Sequence, residues 1–199
     1  MTLDALAIKH NCDKSSKHHD YCRIYERYLS VYRHKHVNVL ELGYGGYDDQ
    51  NAGGESARMW REYFTKAELT VVDLHWKDNT PDKVTFVCCS QDNLTLASIV
   101  PQNIIIDDAS HINSLTIASF KLLWSRLVSG GLYIIEDLHS SYDPYYPDAN
   151  PNPNEGNTAM NFLKRLTDEL NSDYLGDYIL GYDIEFVHFF KDLCIIKKK

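Results

Sequence analysis

The sequence predicts an α/β fold, an open and mostly parallel β-sheet with an antiparallel hairpin strand at its C-terminal end. Five short segments are apolar almost throughout, as is typical of strands buried on both faces of a parallel sheet. Amphipathic helical patterns alternate with these segments, which favours βα units over a separate all-β or all-α domain. The predicted parallel strands are 37–42, 69–74, 84–89, 103–108 and 131–137.

Helices and a hairpin account for most of the remaining chain. Apolar residues recur at helical spacing in segments 55–64, 115–127 and 158–170. The second of these precedes Ser129-Gly130-Gly131, which we interpret as a helix stop. Strand-like segments 183–190 and 193–197 are separated only by Lys191-Asp192, and such a short link predicts a hairpin.

The 199 residues predict one domain spanning the whole chain, 1–199, with a helical N-terminal segment, 1–36. Segment 141–157 interrupts the alternation and is rich in Pro, Asn, Asp and Tyr. It therefore predicts a long loop. Loops of this length in compact domains are commonly binding loops or lids, and the tyrosines favour a lid over a linker.

Composition narrows the class of protein and its partners. A net charge of −8 opposes nucleic-acid binding, and no apolar run approaches the ~18–20 residues of a membrane span. The N-terminus shows no basic start followed by an apolar stretch, so we expect no secretion signal. The five cysteines lack metal-type spacing. We expect a cytoplasmic protein with reduced thiols and no nucleic-acid or membrane partner.

A glycine-rich loop follows the first strand, and an acidic residue closes the second. The loop reads ELGYGG from Glu41, and glycines there allow backbone to approach a ligand closely. Asp73 closes the second strand, where a carboxylate can accept hydrogen bonds from ribose hydroxyls. The dinucleotide fingerprint fails because its last glycine position holds Asp48. On these residues alone, a tight turn and a capping aspartate remain alternatives.

The loop resembles the first motif of class I S-adenosylmethionine-dependent methyltransferases. Further blocks resemble the macrolide and sugar O-methyltransferases, in the order and with roughly the spacing of that family over residues 8–145. Ala109 and Cys12 depart from it, where glycine and threonine are expected. We also expect the chain to lack the extra N-terminal domain of longer members. The blocks are KHNCDKSSKHHDYCRIYERY, LELGYGGYDDQNAGGESARMWREYF, SQDN, IIIDDASHINS and GGLYIIEDLHSSY.

The resemblance implies a Rossmann-like class I methyltransferase sheet that binds S-adenosyl-L-methionine. In that scheme the loop at Gly43 holds the methionine part of the cofactor, and Glu41 supports the loop. Asp73 binds the ribose, while Gln91 and Asp92 lie near the adenine. The full set that we assign to the cofactor is Glu41, Gly43, Tyr44, Gly45, Ser56, Asp73, Gln91, Asp92 and Asp107.

Acidic residues close the fourth and fifth strands and predict a metal site. Asp107-Asp108 and Glu136-Asp137 would lie about 5 Å apart if these strands are neighbours. Like charges at ~4 Å repel by roughly 4 kcal/mol, which protonation or a divalent cation would relieve. Oxygen ligands favour Mg²⁺ or another hard divalent cation. Helix capping is the alternative for some of them. The resemblance implies Asp108, Glu136 and Asp137 as the ligands.

His111 is implied by the resemblance as the general base. A metal can acidify a hydroxyl, and a histidine of ordinary pKa, about 6.5, can then take its proton. His139, Tyr142 and Tyr145 are candidates for substrate contacts. We therefore predict a metal-dependent O-methyltransferase acting on a hydroxyl of a sugar or glycosylated small molecule. The resemblance leaves homo-oligomerisation open.

Three other functions remain to be compared with this one. A cephalosporin-hydroxylase-like enzyme would share the N-terminal block. A binding module could keep the cofactor fold without catalysis, although the retained Asp108, His111, Glu136 and Asp137 speak against that. A nicotinamide oxidoreductase is disfavoured by the broken glycine fingerprint. Calorimetric titration with S-adenosylhomocysteine and with NAD would separate these functions.

Overall fold

The computed structural model describes residues 1–176 and 180–199. The chain divides into two compact units, residues 1–90 and residues 91–199, which are described in turn. Within the described residues, every helix is too short or too polar to cross a lipid bilayer.

The first unit is built on three parallel strands in the order β3-β2-β1. Its strands are β1 (Asn38–Leu42), β2 (Glu68–Asp73) and β3 (Val84–Cys88). Four of five residues are buried in β1 and three of six in β2, but none in β3. The prediction of burial on both faces is therefore wrong for β3, which is an edge strand. Two helices, α1 (Leu3–Lys9) and α2 (Cys22–Leu29), occupy the predicted helical N-terminal segment, and α3 (Glu55–Tyr63) connects β1 to β2.

The second unit contains β4 (Gln102–Asp107), β5 (Leu127–Ile135), β6 (Ile184–Phe190) and β7 (Leu193–Lys198). Its strand order is β4-β5-β7-β6. β4 and β5 are parallel, whereas β7 is antiparallel to both β5 and β6. The predicted hairpin is therefore confirmed, and it joins the sheet through β7. Helices α4 (Asn113–Leu123) and α5 (Ala159–Leu166) complete the unit.

The predicted helix 115–127 is wrong at both ends. α4 already begins at Asn113 and ends at Leu123, followed by one 3-10 turn, Trp124–Arg126. Ser129-Gly130-Gly131 does not stop a helix but lies inside β5. Gly130 adopts φ 74°, and the pairing with β4 shifts register across this stretch. Glycine at this position permits a bulge inside β5. The sequence pattern placed the start of this strand at residue 131, after the observed start at Leu127.

The predicted helix 158–170 is shorter than expected. α5 begins after Thr158, whose hydroxyl accepts a hydrogen bond from the Asn161 N–H at 3.2 Å, and ends at Leu166. Residues Asp168–Tyr174 instead form 3-10 turns, with a non-helical Asn171 inside. A side-chain cap at the start and a tightened end are ordinary helix boundaries.

Candidate active site

The glycine loop of the first unit is shaped by left-handed backbone and close contacts. Gly43, Gly45 and Gly46 have φ values of 97°, 79° and 76°. A Cβ on Gly53 would stand 2.4 Å from the Gly45 carbonyl oxygen, so no side chain fits there. Gly54, which also has positive φ, donates its N–H to the Tyr44 carbonyl at 2.7 Å. The loop therefore folds back on itself and brings backbone to the end of β1.

Lys77, which the sequence analysis missed, holds this loop through hydrogen bonds to its carbonyl groups. Its side chain is only 1% exposed. The ammonium donates to the carbonyls of Tyr47 at 2.6 Å and Asp49 at 2.9 Å. Asn79 adds hydrogen bonds to the carbonyls of Asn51 and Gly53. No motif marks Lys77 in the sequence, because one lysine just after a strand is usually a surface residue.

Asp73, the predicted ribose ligand, lies at the end of β2 and is half-buried. One carboxylate oxygen accepts the Tyr44 N–H at 2.8 Å, and the other accepts the His75 N–H at 2.9 Å. Each carboxylate oxygen can accept a further hydrogen bond. Asp73 is thus held in place by backbone while keeping acceptor capacity for a ligand.

Glu41 is completely buried and bonded to α3. Its carboxylate accepts the Ser56 hydroxyl at 3.0 Å and the Trp60 indole N–H at 2.9 Å. It thereby fixes the start of α3 relative to β1. The predicted supporting role of Glu41 and the predicted cofactor contact of Ser56 both stay predictions.

In the second unit, the Gln91 amide holds the loop that follows β4. Its carbonyl oxygen accepts both the N–H and the hydroxyl of Ser110, at 3.1 and 2.6 Å. Its NH₂ group donates to Asp107 at 3.3 Å and to the Ser119 hydroxyl at 3.4 Å. The amide thus uses all four of its hydrogen-bonding positions. Gln91 and Asp92, which is exposed, were predicted near the adenine, and this stays a prediction.

Asp107 ends β4 and is 2% exposed. Burial is the main cause that raises the pKa of Asp107, to about 7. The Ser119 hydroxyl, which donates to the Asp107 carboxylate at 2.5 Å, acts in the opposite direction and lowers that pKa. The charge of Asp108 raises it further. Asp107 therefore faces the interior of the unit, while Asp108 lies half-buried.

The ends of β4 and β5 bring two of the predicted ligands, Asp108 and Asp137, together with the predicted base, His111. Asp107 pairs with Ile135, and the Glu136 N–H donates to the Asp107 carbonyl at 3.0 Å. Ligand atoms of Asp108, His111 and Asp137 all lie within 4.8 Å of one another. His111 Nε2 is 3.8 Å from the Asp108 carboxylate and 3.5 Å from that of Asp137. We call these three residues the acidic cluster.

Two members of the acidic cluster have unusual backbone. His111 has φ 55° and Asp137 has φ 52°, both in the left-handed region. Residues with a Cβ reach that region at a cost of roughly 1–2 kcal/mol. Strained backbone of this kind concentrates at functional sites, where it directs side chains. Here both strained residues contribute to the same cluster.

The acidic cluster fits a hard divalent cation. Two half-buried carboxylates supply oxygen ligands, and an imidazole lies beside them. Glu136, the third predicted ligand, is not among the clustered atoms and is 3% exposed. Asp108 and Asp137 therefore lie where both could hold Mg²⁺, with His111 beside them, while the predicted ligand role of Glu136 stays a prediction.

The aromatic candidates differ in their placement. Tyr145 is 87% exposed, and Tyr142 lies 6.0 Å from the Lys164 ammonium. His139 is exposed and contacts Asp192, its Nδ1 lying 3.9 Å from that carboxylate. Tyr146, which the sequence analysis did not single out, lies beside both His111 and His139.

Curated proteins similar to this chain are named as O-methyltransferases of glycosylated compounds. The 8-demethyl-8-α-L-rhamnosyl tetracenomycin-C 2'-O-methyltransferase of Streptomyces olivaceus is 39% identical over 175 residues, covering 85% of this chain and 46% of that protein. The mycinamicin VI 2''-O-methyltransferase of Micromonospora griseorubida is 31% identical over 180 residues, covering 87% and 45%. No family model matches the chain.

A solved structure carries the same fold along the entire chain. It is the MycE methyltransferase of the mycinamycin biosynthetic pathway in complex with Mg and S-adenosylhomocysteine. The TM-score is 0.93 at 29% identity, covering 100% of this chain and 54% of that one. The chain is a homologue of the macrolide and sugar O-methyltransferases. This homologue has their α/β class I fold, as the sequence predicted, and spans about half the length of the curated relatives it matches.

Proposed function

We propose that the chain carries the methyl-transfer site of an S-adenosyl-L-methionine- and Mg²⁺-dependent O-methyltransferase that acts on a sugar hydroxyl of a glycosylated small molecule. The observation that carries this proposal is the acidic cluster in a homologue of sugar O-methyltransferases. Asp108 and Asp137 supply the oxygen ligands, and the nearby imidazole supplies a base. That combination suits activation of a weakly acidic hydroxyl.

The first unit supplies the features suited to the methyl donor. The glycine loop presents backbone at the end of β1, and Asp73 keeps acceptor capacity for ribose hydroxyls. We assign the methionine part to the loop at Gly43 and the ribose to Asp73. Lys77 and Glu41 hold these two features in place without contacting the ligand in this scheme.

The second unit supplies the base. His111 Nε2 is the ring nitrogen near both carboxylates of the acidic cluster. We propose that it accepts the proton of the acceptor hydroxyl while the oxygen attacks the sulfonium methyl carbon. A C–O bond forms, the C–S bond breaks, and S-adenosylhomocysteine leaves. A bound Mg²⁺ would lower the pKa of the hydroxyl and orient it.

The test is methyl transfer to the acceptors that appear in the names of the relatives. The chain is incubated with S-adenosylmethionine, Mg²⁺ and either mycinamicin VI or 8-demethyl-8-α-L-rhamnosyl tetracenomycin C, and a one-methyl mass gain is measured. Excess chelator should abolish transfer and added Mg²⁺ should restore it. Full activity in chelator would remove the metal from the proposal.

His111→Ala tests the proposed base. We expect kcat to fall by roughly 10²–10⁴, the loss typical of a missing general base. Binding of S-adenosylhomocysteine, measured by calorimetry, should be unchanged because His111 makes no contact with the glycine loop in this scheme. His10→Ala, which removes a histidine paired with Glu62 on the surface, is the matched control. An unchanged kcat in His111→Ala would make this histidine structural.

A further inference from the structure

Tyr146 lies between two histidines beside the acidic cluster. Its ring centroid is 6.4 Å from that of His111 and 6.2 Å from that of His139. The ring is nearly perpendicular to both imidazoles, at 82° and 76°. Its side chain is half-buried, so part of its surface remains open to a ligand. An aromatic ring therefore stands next to the residue that we propose as the base.

Backbone hydrogen bonds fix the position of Tyr146. Its N–H donates to the Asp143 carbonyl at 3.0 Å, and its own carbonyl accepts the Ala149 N–H at 3.2 Å. The Asn150 N–H closes the segment by donating to the Ser141 carbonyl at 2.9 Å. Residues 141–150 thus form a compact folded loop within the predicted lid, 141–157, whose closure over a substrate stays a prediction.

The start of α4 anchors this loop through Asp148. The Asp148 carboxylate accepts the N–H groups of Asn113 and Ser114 at 3.0 and 2.7 Å. The buried Asn113 amide also donates to Asp148, and its oxygen accepts the Ser141 hydroxyl and the Ala159 N–H, both at 2.8 Å. The Asn113 side chain therefore ties Ser141 and Asp148 of this loop to Ala159, the first residue of α5.

The same anchor lies two residues from His111. Asn113 follows His111 by two residues and binds the segment that carries Tyr146, so one hydrogen-bonded network lies next to both rings. Tyr145 is placed differently, since it is 87% exposed and its ring packs on that of its neighbour Tyr146. Tyr142 is directed toward Lys164.

We infer that Tyr146 is the residue against which the sugar ring of the acceptor packs, and that it thereby selects pyranosides over acceptors without such a ring. This inference rests on the proposed function. A tyrosine ring offers a large, rigid contact area at low entropic cost, and the C–H face of a pyranose is apolar enough to cover it. Packing on a ring beside His111 would hold one sugar hydroxyl within reach of the base.

The test measures binding and turnover of mycinamicin VI and 8-demethyl-8-α-L-rhamnosyl tetracenomycin C with Tyr146→Ala and Tyr146→Phe. Tyr146→Ala should raise KM and the calorimetric Kd for the glycoside by about tenfold or more, as for a buried aromatic contact. Tyr146→Phe, which keeps the ring, should stay within about threefold of wild type in both. S-adenosylhomocysteine affinity should not change in either variant, which excludes general misfolding.

Two controls sharpen the result. Tyr174→Ala removes a tyrosine that is 89% exposed in the same unit and should change nothing. Tyr145→Ala should have a smaller effect than Tyr146→Ala. Equal glycoside affinity in Tyr146→Ala and wild type would overturn the inference while leaving the proposed function standing. If wild type binds S-adenosylhomocysteine but neither binds nor methylates either glycoside, the proposed sugar acceptor fails, and this inference fails with it.

Discussion

A single amide in the second unit links two features that the sequence analysis treated as separate. Gln91 was assigned to the adenine, yet its four hydrogen bonds run to Asp107, Ser110 and Ser119. Ser110 lies between Asp108 and His111, two members of the acidic cluster. Gln91 therefore holds the loop whose geometry any bound cation depends on. Supporting contacts of this kind commonly tune metal affinity 10–100-fold.

Gln91→Leu should weaken binding of Mn²⁺, used in place of Mg²⁺, by about tenfold or more, because the loop after β4 loses its buried partner. Free Mn²⁺ is counted by electron paramagnetic resonance in a titration. Gln102→Leu is the matched control, since it removes another buried glutamine, which lies at the start of β4 and not at the end that carries the loop. Equal Mn²⁺ affinity in the two variants would show that the Gln91 network does not position the cluster.

The residue scale also shows which parts of the site could be predicted. Asp108 and Asp137 could be placed together because both follow buried strands of recognisable pattern. Asn113 and Lys77 could not, because their importance lies in long-range partners, such as Asp148 and the Tyr47 carbonyl. A polar residue near a strand end looks the same in sequence whether it faces solvent or fills a buried hydrogen-bond network.

At the scale of elements, the glycine loop depends on a segment that follows another strand. Residues 43–54 leave β1, but their carbonyls are bonded by Lys77 and Asn79 beyond β2. These hydrogen bonds explain how the long insert between the glycines and α3 keeps a defined conformation. The loop thereby presents its backbone at the end of β1, where we assign the methionine part of the cofactor.

Lys77→Met should raise the Kd for S-adenosylhomocysteine by about tenfold. Methionine replaces the apolar stem, but two carbonyls lose a charge-assisted donor, each such bond being worth roughly 1.5–3 kcal/mol. Isothermal titration measures the affinity. Lys66→Met, an exposed lysine of the same unit, should bind as wild type does. Unaltered affinity in Lys77→Met would mean that the loop keeps its shape without the lysine.

α4 owes part of its stability to a carboxylate from the loop. Burial of Asp148 opposes its ionisation, but hydrogen bonds from Asn113 and Ser114 outweigh this and hold its pKa below the usual range. A pKa lower in the folded than in the unfolded state adds stability above the unfolded pKa, about 3.9. That contribution is lost as pH falls through the folded pKa.

Asp148→Asn should therefore lower the free energy of unfolding by about 1 kcal/mol at pH 7, as is typical for a weakened helix cap. Urea denaturation at pH 7 and at pH 3 measures the difference from wild type, which should shrink at the lower pH. Asp173→Asn, an exposed carboxylate in the same unit, should have little effect at either pH. A difference that is independent of pH would show that the charge of Asp148 is not what stabilises α4.

Element boundaries were predicted less well than element types. All seven strands found among the described residues were predicted, since each contains a recognisable run of apolar residues. The start of β5 was missed because Gly130 and Gly131 resemble a helix stop in sequence. Only the pairing with β4 shows that these glycines accommodate a register shift within the strand.

For the whole molecule, the similarity of fold extends over all of this chain but over only part of the related enzyme. The MycE fold covers all of this chain, but this chain covers 54% of MycE. Cofactor binding is the proposed property that depends least on the part of MycE without a counterpart here. Asp73 and the glycine loop are both held by contacts within residues 1–90. A ligand that binds only the folded state raises thermal stability by mass action, whether or not an acceptor is known.

S-adenosylhomocysteine at about 100 times its Kd should stabilise the chain by ~2.7 kcal/mol, which corresponds to a rise in Tm of roughly 5–10 °C for a chain of this length. Differential scanning fluorimetry measures the shift. Asp73→Ala should lose most of it, because the carboxylate that accepts ribose hydroxyls in our assignment is gone. NAD should give no shift, since Asp48 occupies the last glycine position of the dinucleotide fingerprint. A shift with NAD but none with millimolar S-adenosylhomocysteine would replace methyl transfer with nicotinamide chemistry as the function to pursue.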